Sequence, residues 1–506
     1  MRLLDERCWK DRVRWNDGGW YDLATGDTGD VPVRLFLSQR LFGELEPSLY
    51  RQIVAATRFV GTRGVVITPD AHFGYGVPVG CVIATDRKEG AVALGPVGFD
   101  IGCGMVSAKS DVPSEAATHD RKLAFNREVM QRVSLGAGGT SLAFGALSEK
   151  QLMRLVRGGA KAYEQMYGAA FDRTHTERQA FLVDEAWRPP WGGRGQPERG
   201  LNQLGSLGGG NHFIELQNGT PPGRSPRELS GGRLFVQIHT GSRGFGHGLA
   251  TNYLDLARQE RPELGANLDL GYFTPDSLSY QSYLNAVAAG ANYAIINRLI
   301  VLEQVAAAFR KVFGSELELV YELSHNLVQA EPHPEFGDVW VHRKGATRAL
   351  PARHPLLKNT PFFAEGHPVL VPGSNKDESY ILRPLPQAVE SLYSVNHGAG
   401  RRMSRGEASR VLDQRHVDDS YRRARILVNE DGQVPLDEAG ACYKPAAEVM
   451  QAIVDAGLAR VETRLWPLAS LKGVEGGFRK DRARRRQRSK ERDQQRRDAR
   501  RHKEHR

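Results

Sequence analysis

Five short segments of this 506-residue chain set metal-ligating side chains beside glycine or asparagine. They are Gly98-Phe-Asp-Ile-Gly-Cys-Gly104, Gly208-Gly-Gly-Asn-His-Phe-Ile-Glu215, Ile238-His-Thr-Gly-Ser-Arg-Gly244, Glu322-Leu-Ser-His-Asn326 and Ser394-Val-Asn-His-Gly-Ala-Gly-Arg401. A thiolate, a carboxylate and several imidazoles make a mixed sulfur, oxygen and nitrogen set, suited to a borderline divalent ion such as Mn²⁺, Zn²⁺, Fe²⁺ or Co²⁺. The glycines let the backbone come close to an ion or a phosphate. Taken singly, each residue has a plainer explanation. A buried cysteine packs as a small hydrophobe, a histidine near a strand hydrogen-bonds within a core, and Asp100 with Cys103 makes a turn. Histidine with asparagine or glycine within two residues recurs in four separate places, and that recurrence points to a metal site.

These segments need a scaffold, and hydrophobic periodicity supplies one. Residues 64–70, 80–85, 91–94, 214–216, 234–238, 317–321, 339–342 and 369–371 are short β-branched or apolar runs that read as strands, several of them adjoining the segments above. Ser148 caps a helix running through Met166, with Leu152, Leu155, Val156 and Tyr163 on one face, and Gly158-Gly159 threatens its continuity. A longer helix from Ser279 to Phe313 is a candidate central support, and Ala446 to Leu465 reads as a final helix. Arg173 to Arg199, rich in Arg, Pro, Trp and Gly, reads as a long loop or insertion. No repeat of 20 to 50 residues appears, which disfavours solenoids and propellers.

Composition narrows the class further. Hydrophobic residues make up 40% and charged residues 25%, which is globular, and 55 glycines predict many tight loops. The four cysteines, Cys8, Cys81, Cys103 and Cys442, show no CxxC spacing, so neither a disulfide framework nor a zinc ribbon is expected, and a reducing cytoplasm fits best. No export signal or membrane span is expected. Fifteen of the 69 Lys and Arg, against five of the 59 Asp and Glu, fall between Arg479 and Arg506, so this tail carries the whole net charge of +10. With no apolar residue larger than Ala it has no face to bury, and is expected to be disordered or a lone frayed helix. It is either a solubilising tail or an arm for nucleic-acid phosphates.

Six segments carry a resemblance. Pro69-Asp-Ala-His-Phe-Gly-Tyr-Gly-Val-Pro-Val-Gly80, Val97-Gly-Phe-Asp-Ile-Gly-Cys-Gly-Met105, Leu204-Gly-Ser-Leu-Gly-Gly-Gly-Asn-His-Phe213, His239-Thr-Gly-Ser-Arg-Gly244, His342-Arg-Lys-Gly-Ala-Thr-Arg348 and His397-Gly-Ala-Gly-Arg401 closely resemble those of the RtcB family of RNA-splicing ligases, in the family's order, from about Pro69 to Lys472. The resemblance implies a mixed α/β (α+β) fold, one large catalytic domain at 61–478 around a deep two-metal cleft. Residues 1–60 would be a divergent N-terminal subregion, 173–199 a loop or insertion, and 479–506 the basic tail. It implies a GTP- and Mn²⁺-dependent ligase that joins RNA ending in 3′-phosphate or 2′,3′-cyclic phosphate to RNA with a 5′-hydroxyl, in RNA repair or tRNA splicing. An archease-type activator becomes a further candidate partner.

Carried over by motif, Cys103 is implied to bridge two Mn²⁺ ions, with Asp100, His212, His239 and His325 completing the two shells, and His397 to take GMP from GTP. Asn211, Phe213, Glu215, Asn326, Pro372, Ser374, Ser379, Ala399, Gly400 and Lys472 fall on the family's nucleotide positions, with Glu215 as acceptor for the guanine ring. Arg243, Lys344 and Arg405 fall where the family binds RNA phosphates. The chain departs from the pattern at Asn375-Lys-Asp-Glu378, which predicts a more charged loop over the nucleotide and an altered contact at position 375. These departures suggest a divergent paralogue acting on a broken RNA such as nicked tRNA or rRNA. The alternatives are a metal-dependent cyclic-phosphate phosphoesterase and a non-catalytic RNA-binding repair scaffold. The presence of His397 beside an intact ligand set favours the ligase.

Overall fold

The computed structural model describes residues 8–168, 171–264 and 270–473, and the basic tail lies outside the described residues. With strands and helices numbered in chain order, one sheet has seven strands. Their order is β1 (Val13–Asn16), β2 (Trp20–Leu23), β3 (Val33–Leu35), β4 (Thr62–His72), β5 (Val79–Asp86), β13 (Gly337–Lys344) and β12 (Asn326–His333). The second sheet has eight. Its path is β11 (Glu318–Ser324), β7 (Gly104–Pro113), β9 (Arg233–Thr240), β8 (Phe213–Thr220), β19 (Ala459–Lys472), β16 (Ser379–Pro384) and β15 (Val369–Val371), with β18 (Leu427–Val428) parallel to the end of β19. Two ribbons complete the set: β6 (Val92–Ala93) with β10 (Tyr272–Phe273), and β14 (Ala346–Arg348) with β17 (Ser394–Asn396). Only His325 separates β11 from β12, so one residue joins the two sheets.

Residues 8–60 are part of this architecture. β3 pairs in parallel with β4, and α1 (Gln39–Glu44) and α2 (Leu49–Ala56) contribute Leu41, Tyr50 and Ile53 to a core shared with β4 and β5. Next come α3 (His119–Arg132), α4 (Glu149–Tyr167), α5 (Arg243–Glu260) and α6 (Tyr280–Phe313). Ser148 and Gln151 form a reciprocal capping box on α4, and Gly159 at φ 56° breaks it into two pieces, as the Gly-Gly pair predicts. The stretch 173–199 is a loop with a short 3-10 turn at Arg173–His175. It is laid along α6, where Asn292 accepts from Phe181 N at 2.7 Å and Asn285 accepts from Asp184 N at 2.6 Å.

Beyond the metal segments lie α7 (Arg405–Val411), α8 (Gln414–Arg423) and α9 (Ala446–Asp455). The final helix is shorter than its sequence suggests. It stops at Asp455, Gly457 turns at φ 66°, and the chain then enters β19. Arg460, Glu462 and Arg464 alternate with Val461, Thr463 and Leu465, a period of two that overrides the helix-favouring composition once β8 and β16 pair on either side.

Helix α6 is long and apolar enough to cross a membrane, but 94% of its most apolar window is buried inside the protein. Four of its polar residues, Asn285, Asn292, Asn297 and Arg298, are buried too, and they are occupied. Asn297 accepts from Gly205 N at 2.7 Å and donates to Gly241 O at 3.1 Å. Arg298, fully buried, donates to Gly102 O at 2.6 Å, to Thr240 O at 3.0 Å, to Ser324 Oγ at 2.9 Å and to Glu322 Oε1 at 2.6 Å. Arg298 therefore ties together the residues next to Cys103, His239 and His325, and its neighbour Asn297 holds the loop that leads to His212.

Removing Arg298 leaves Glu322 as a buried, unpaired carboxylate. Arg298→Met is expected to destabilise the protein by about 3–5 kcal/mol, while the double variant Arg298→Met with Glu322→Leu recovers part of that loss. Chemical denaturation of the two proteins checks the order; a double variant no better than the single one contradicts it.

Candidate metal centre and nucleotide cleft

Each ligand sits at a strand end that opens towards the same space. Asp100 and Cys103 lie in the turn that enters β7, where Cys103 N donates to Asp100 O at 3.0 Å. His212 directly precedes β8, and a Cβ on Gly208 would lie 2.0 Å from its Nδ1, so only glycine fits there. His239 is the penultimate residue of β9, opposite Met105 and Phe213. His325 donates its N–H to Cys103 O at 2.8 Å.

The donors form two triads that share one atom. Cys103, His239 and His325 make the first, and Asp100, Cys103 and His212 the second, each with its ligand atoms within 4.8 Å of one another. Cys103 Sγ lies 3.2 Å from His239 Nε2 and 3.4 Å from His212 Nε2. His239 Nε2 and His325 Nε2 are 3.1 Å apart, and His212 Nε2 is 3.1 Å from Asp100 Oδ2. Asn211 O accounts for the other nitrogen of His239, at 3.1 Å, leaving its Nε2 for the centre.

Electrostatics suit this set to a cation. Burial, reinforced by neighbouring histidines, holds His239 and His325 well below the ordinary imidazole range, so they present neutral nitrogens. Burial and the Asp100 charge push the Cys103 thiol well above its usual range. Burial also works against ionised Asp100, but the bond to His212, the Arg243 guanidinium and Ser242 outweigh it and hold that carboxyl down to about 2. The converging sulfur, imidazole nitrogens and carboxylate oxygen fit a cation, whose charge would offset the cost of ionising the buried Cys103 thiol.

His397, between β17 and α7, stands beside this centre, its ring 4.8 Å centroid to centroid from that of His325. Its Nδ1 lies 2.6 Å from Asp70 Oδ2 and its backbone N–H donates to the same oxygen at 3.2 Å. Asp70 is fully buried on β4 and accepts from Thr68 Oγ1 at 2.6 Å. Burial raises the Asp70 carboxyl, yet the contacts with His397 and Thr68 more than offset it and keep it below the ordinary value. In the neutral ring, a carboxylate at Nδ1 favours the tautomer that carries its proton on that nitrogen.

A cavity of about 330 Å³ joins these residues to the expected nucleotide positions. Cys103, His239, His325 and His397 line one part, and Asn211, Phe213, Asn326, Pro372, Ser374, Ala399, Gly400 and Lys472 line the rest. Glu215 and Ser379 sit one layer deeper. Glu215 accepts from Ser470 Oγ at 3.0 Å and from Gln217 at 2.9 Å, and burial pushes its carboxyl up to about 7; Ser379 Oγ accepts from Gly373 N at 3.0 Å. Lys344 and Arg405 also line the cavity. Arg243 differs: it is buried, donating to Gly136 O at 2.9 Å and Ser206 Oγ at 3.2 Å, and so braces the wall.

The loop at 375–378 turns most of its charge away from the cavity. Asp377 accepts from Ala446 N at the start of α9 at 2.8 Å, and Glu378 pairs with Arg464 at 2.7 Å. Lys376 lies over the Tyr421 ring, and Asn375 is buried against the Tyr421 hydroxyl. Three further residues escape a reading of the sequence alone. Arg298 carried one usable signal, a lone charge inside an apolar helical run. Asp70 lies within the Pro69 to Gly80 motif without marking itself out. Glu438 has no local signal, yet it is buried and collects Lys472 at 2.9 Å, Arg405 at 3.1 Å, Arg401 at 3.3 Å and the Tyr443 hydroxyl at 2.6 Å. It sets the cations of the cavity in place.

A family model described as tRNA-splicing ligase RtcB matches residues 52–473. The chain belongs to the RtcB family. The tRNA-splicing ligase RtcB of Pyrobaculum aerophilum is 34% identical to it over 468 residues, covering 88% of this chain and 95% of the relative. The RNA-splicing ligase RtcB of Mycobacterium tuberculosis is 35% identical over 444 residues, 83% of this chain and 100% of the relative. The tRNA-splicing ligase RtcB of Archaeoglobus fulgidus is 34% identical over 464 residues, 88% and 95%. The match ends at residue 473, so the basic tail is an addition to the RtcB region.

Because both triads use one sulfur, Cys103→Ala is expected to lower metal content at both positions, whereas His212→Ala or His325→Ala lowers it at one. Metal analysis of the purified variants checks this; a Cys103→Ala protein with wild-type stoichiometry contradicts a shared ligand.

Proposed function

We propose that this RtcB protein is an RNA ligase that joins a 3′-phosphate or 2′,3′-cyclic phosphate end to a 5′-hydroxyl end, using GTP and a pair of Mn²⁺ ions. One observation carries the reading: a histidine whose Nδ1 is held by a buried carboxylate stands beside two donor triads that share a thiol. Asp100, Cys103 and His212 would hold one ion and Cys103, His239 and His325 the other. Bound there, the ions supply positive charge to phosphoryl oxygens.

The protein's own groups do the rest. His397 Nε2 attacks the α-phosphorus of GTP, a P–N bond forms, the bond to the bridging oxygen breaks and pyrophosphate leaves. Asp70 keeps the Nδ1 proton in place and balances the positive charge that the ring then carries, as a carboxylate behind a reacting histidine does. Phe213 offers a face to the base beneath Lys472, whose Nζ lies 5.5 Å from the ring centroid. Glu215, one layer behind the cavity and already accepting from Ser470 and Gln217, keeps further lone pairs that would accept from the N–H groups of guanine. A 3′-phosphate oxygen then takes GMP from His397, breaking the P–N bond, and the 5′-hydroxyl attacks the activated RNA phosphate and expels GMP. A cyclic phosphate end is first opened by water. A cytoplasmic location, an archease-type activator and a broken tRNA or rRNA as substrate belong to the same proposal.

Incubation with GTP and Mn²⁺ is expected to leave a GMP adduct on the wild-type protein, stable to base and labile to acid, and none on His397→Ala. That variant still joins RNA carrying a preformed guanylylated 3′ end. Intact-mass measurement reads the adduct; a normal adduct on His397→Ala, or a wild type that only opens cyclic phosphate with GTP untouched, rejects the ligase in favour of the phosphoesterase.

The chain leaves the described region beside the centre, since Gly473 packs against Gly136 and Gly208, in the loop that leads to His212. The tail from Arg479 to Arg506, with ten net positive charges, would engage RNA phosphates without reading bases. Truncation after Phe478 is expected to flatten the salt dependence of RNA affinity while leaving GMP transfer to His397 intact. Equal salt slopes for the two proteins return the tail to a solubilising role.

A further inference from the structure

Aromatic side chains line a path from the metal centre to solvent. Phe99, the residue before Asp100, lines the cavity and is half-buried. Tyr75, also in the lining, meets it with ring centroids 5.2 Å apart, and the exposed His247 of α5 stacks on it at 5.3 Å and 26°. Tyr75 is 38% exposed, and Phe73, two residues earlier, is 54% exposed.

The loop that carries Phe73 and Tyr75 is held rigidly. Gln52 of α2 donates to Gly74 O at 2.6 Å and accepts from Gly74 N at 3.0 Å, so both polar groups of the residue between the two rings are tied to the body. Lys344 donates to Tyr75 O and to Val77 O, the latter at 3.1 Å, and Val77 is buried. Exposed rings on a pinned loop are presented to a partner, since a free loop would fold them away.

We propose that Tyr75, Phe99 and His247, with Phe73 at the rim, form a stacking platform for unpaired bases of the RNA end whose phosphate is handled at the metal centre. The proposal rests on the ligase reading. RNA is favoured over an apolar protein segment for two reasons. The ladder begins one residue from a metal-ligand position, and Lys344, Arg401 and Arg405 line the same cavity. Cations beside flat rings match the phosphates and bases of a single strand, and every base offers a π-face, so the platform accepts any sequence at the end being sealed.

The test is fluorescence anisotropy of the full-length protein with Mn²⁺ and a single-stranded RNA ending in 3′-phosphate, set against the same RNA with an abasic terminal nucleotide. Loss of the base is expected to weaken wild-type binding about tenfold, the size of one stacked base. Tyr75→Ala weakens binding of the intact RNA by a similar factor, Tyr75→Trp restores it, and the abasic end costs Tyr75→Ala nothing further. Additive losses in Tyr75→Ala, or full RNA affinity in that variant, overturn the platform and assign the exposed rings to a protein contact. A wild type that binds neither RNA sinks the ligase reading itself, so the two failures are distinguishable.

Discussion

The site depends on a polar grip exerted from inside an apolar helix. α6 is the most deeply buried long element of the fold, and in its interior Asn297 and Arg298 reach out to Gly205, Gly241, Thr240, Gly102 and Ser324. Gly102, Thr240 and Ser324 directly adjoin the candidate ligands Cys103, His239 and His325, and Gly205 lies in the loop that leads to His212. A charge with no water around it must be fully partnered, so the guanidinium has one low-energy arrangement, and that arrangement fixes the spacing of three separate strand ends. Preorganisation of the ligands thus follows from desolvation, and the apolar packing of α6 enforces it.

Charge is handled the same way at the nucleotide end. Lys472, Arg405 and Arg401 would repel one another around an empty cavity, and Glu438 beneath them supplies the compensating charge. The cations are thus oriented in advance by a buried acid, which would lower the cost of ordering them on the anionic ligand proposed above. Asp70 plays the corresponding part for His397. In both places a carboxylate removed from water aims a group that is partly open to it.

The two sheets meet at His325, and this geometry explains how one cavity serves two tasks. β11 ends in the eight-stranded sheet and β12 begins in the seven-stranded sheet, so the metal donors come mainly from the first and Asp70 from the second. His397, held by Asp70, and the candidate metal donors therefore face one cavity from the two sheets. The aromatic loop between β4 and β5 extends the same seam outwards.

Much of this was legible in the sequence, because it is written in neighbouring residues. The donor types, the glycines beside them, the order of the motifs, the long helix and its broken neighbour α4, and the basic tail all depend on residue chemistry or on short periodicities. The end of the chain was misread where the two signals compete: Ala446 to Leu465 has helical composition throughout, and only pairing with β8 and β16 turns its second half into a strand. The pairing of Asp70 with His397 joins residues 327 apart, and Glu438 gathers its cations from two separate segments. Such contacts leave no mark on local sequence, since they arise when burial brings distant polar groups into a space where each must find a partner. The sequence by itself determined which groups would be available for chemistry. The tertiary structure decided which donors converge on one sulfur, which histidine faces a buried carboxylate and which rings face the solvent, because those properties depend on distance and desolvation.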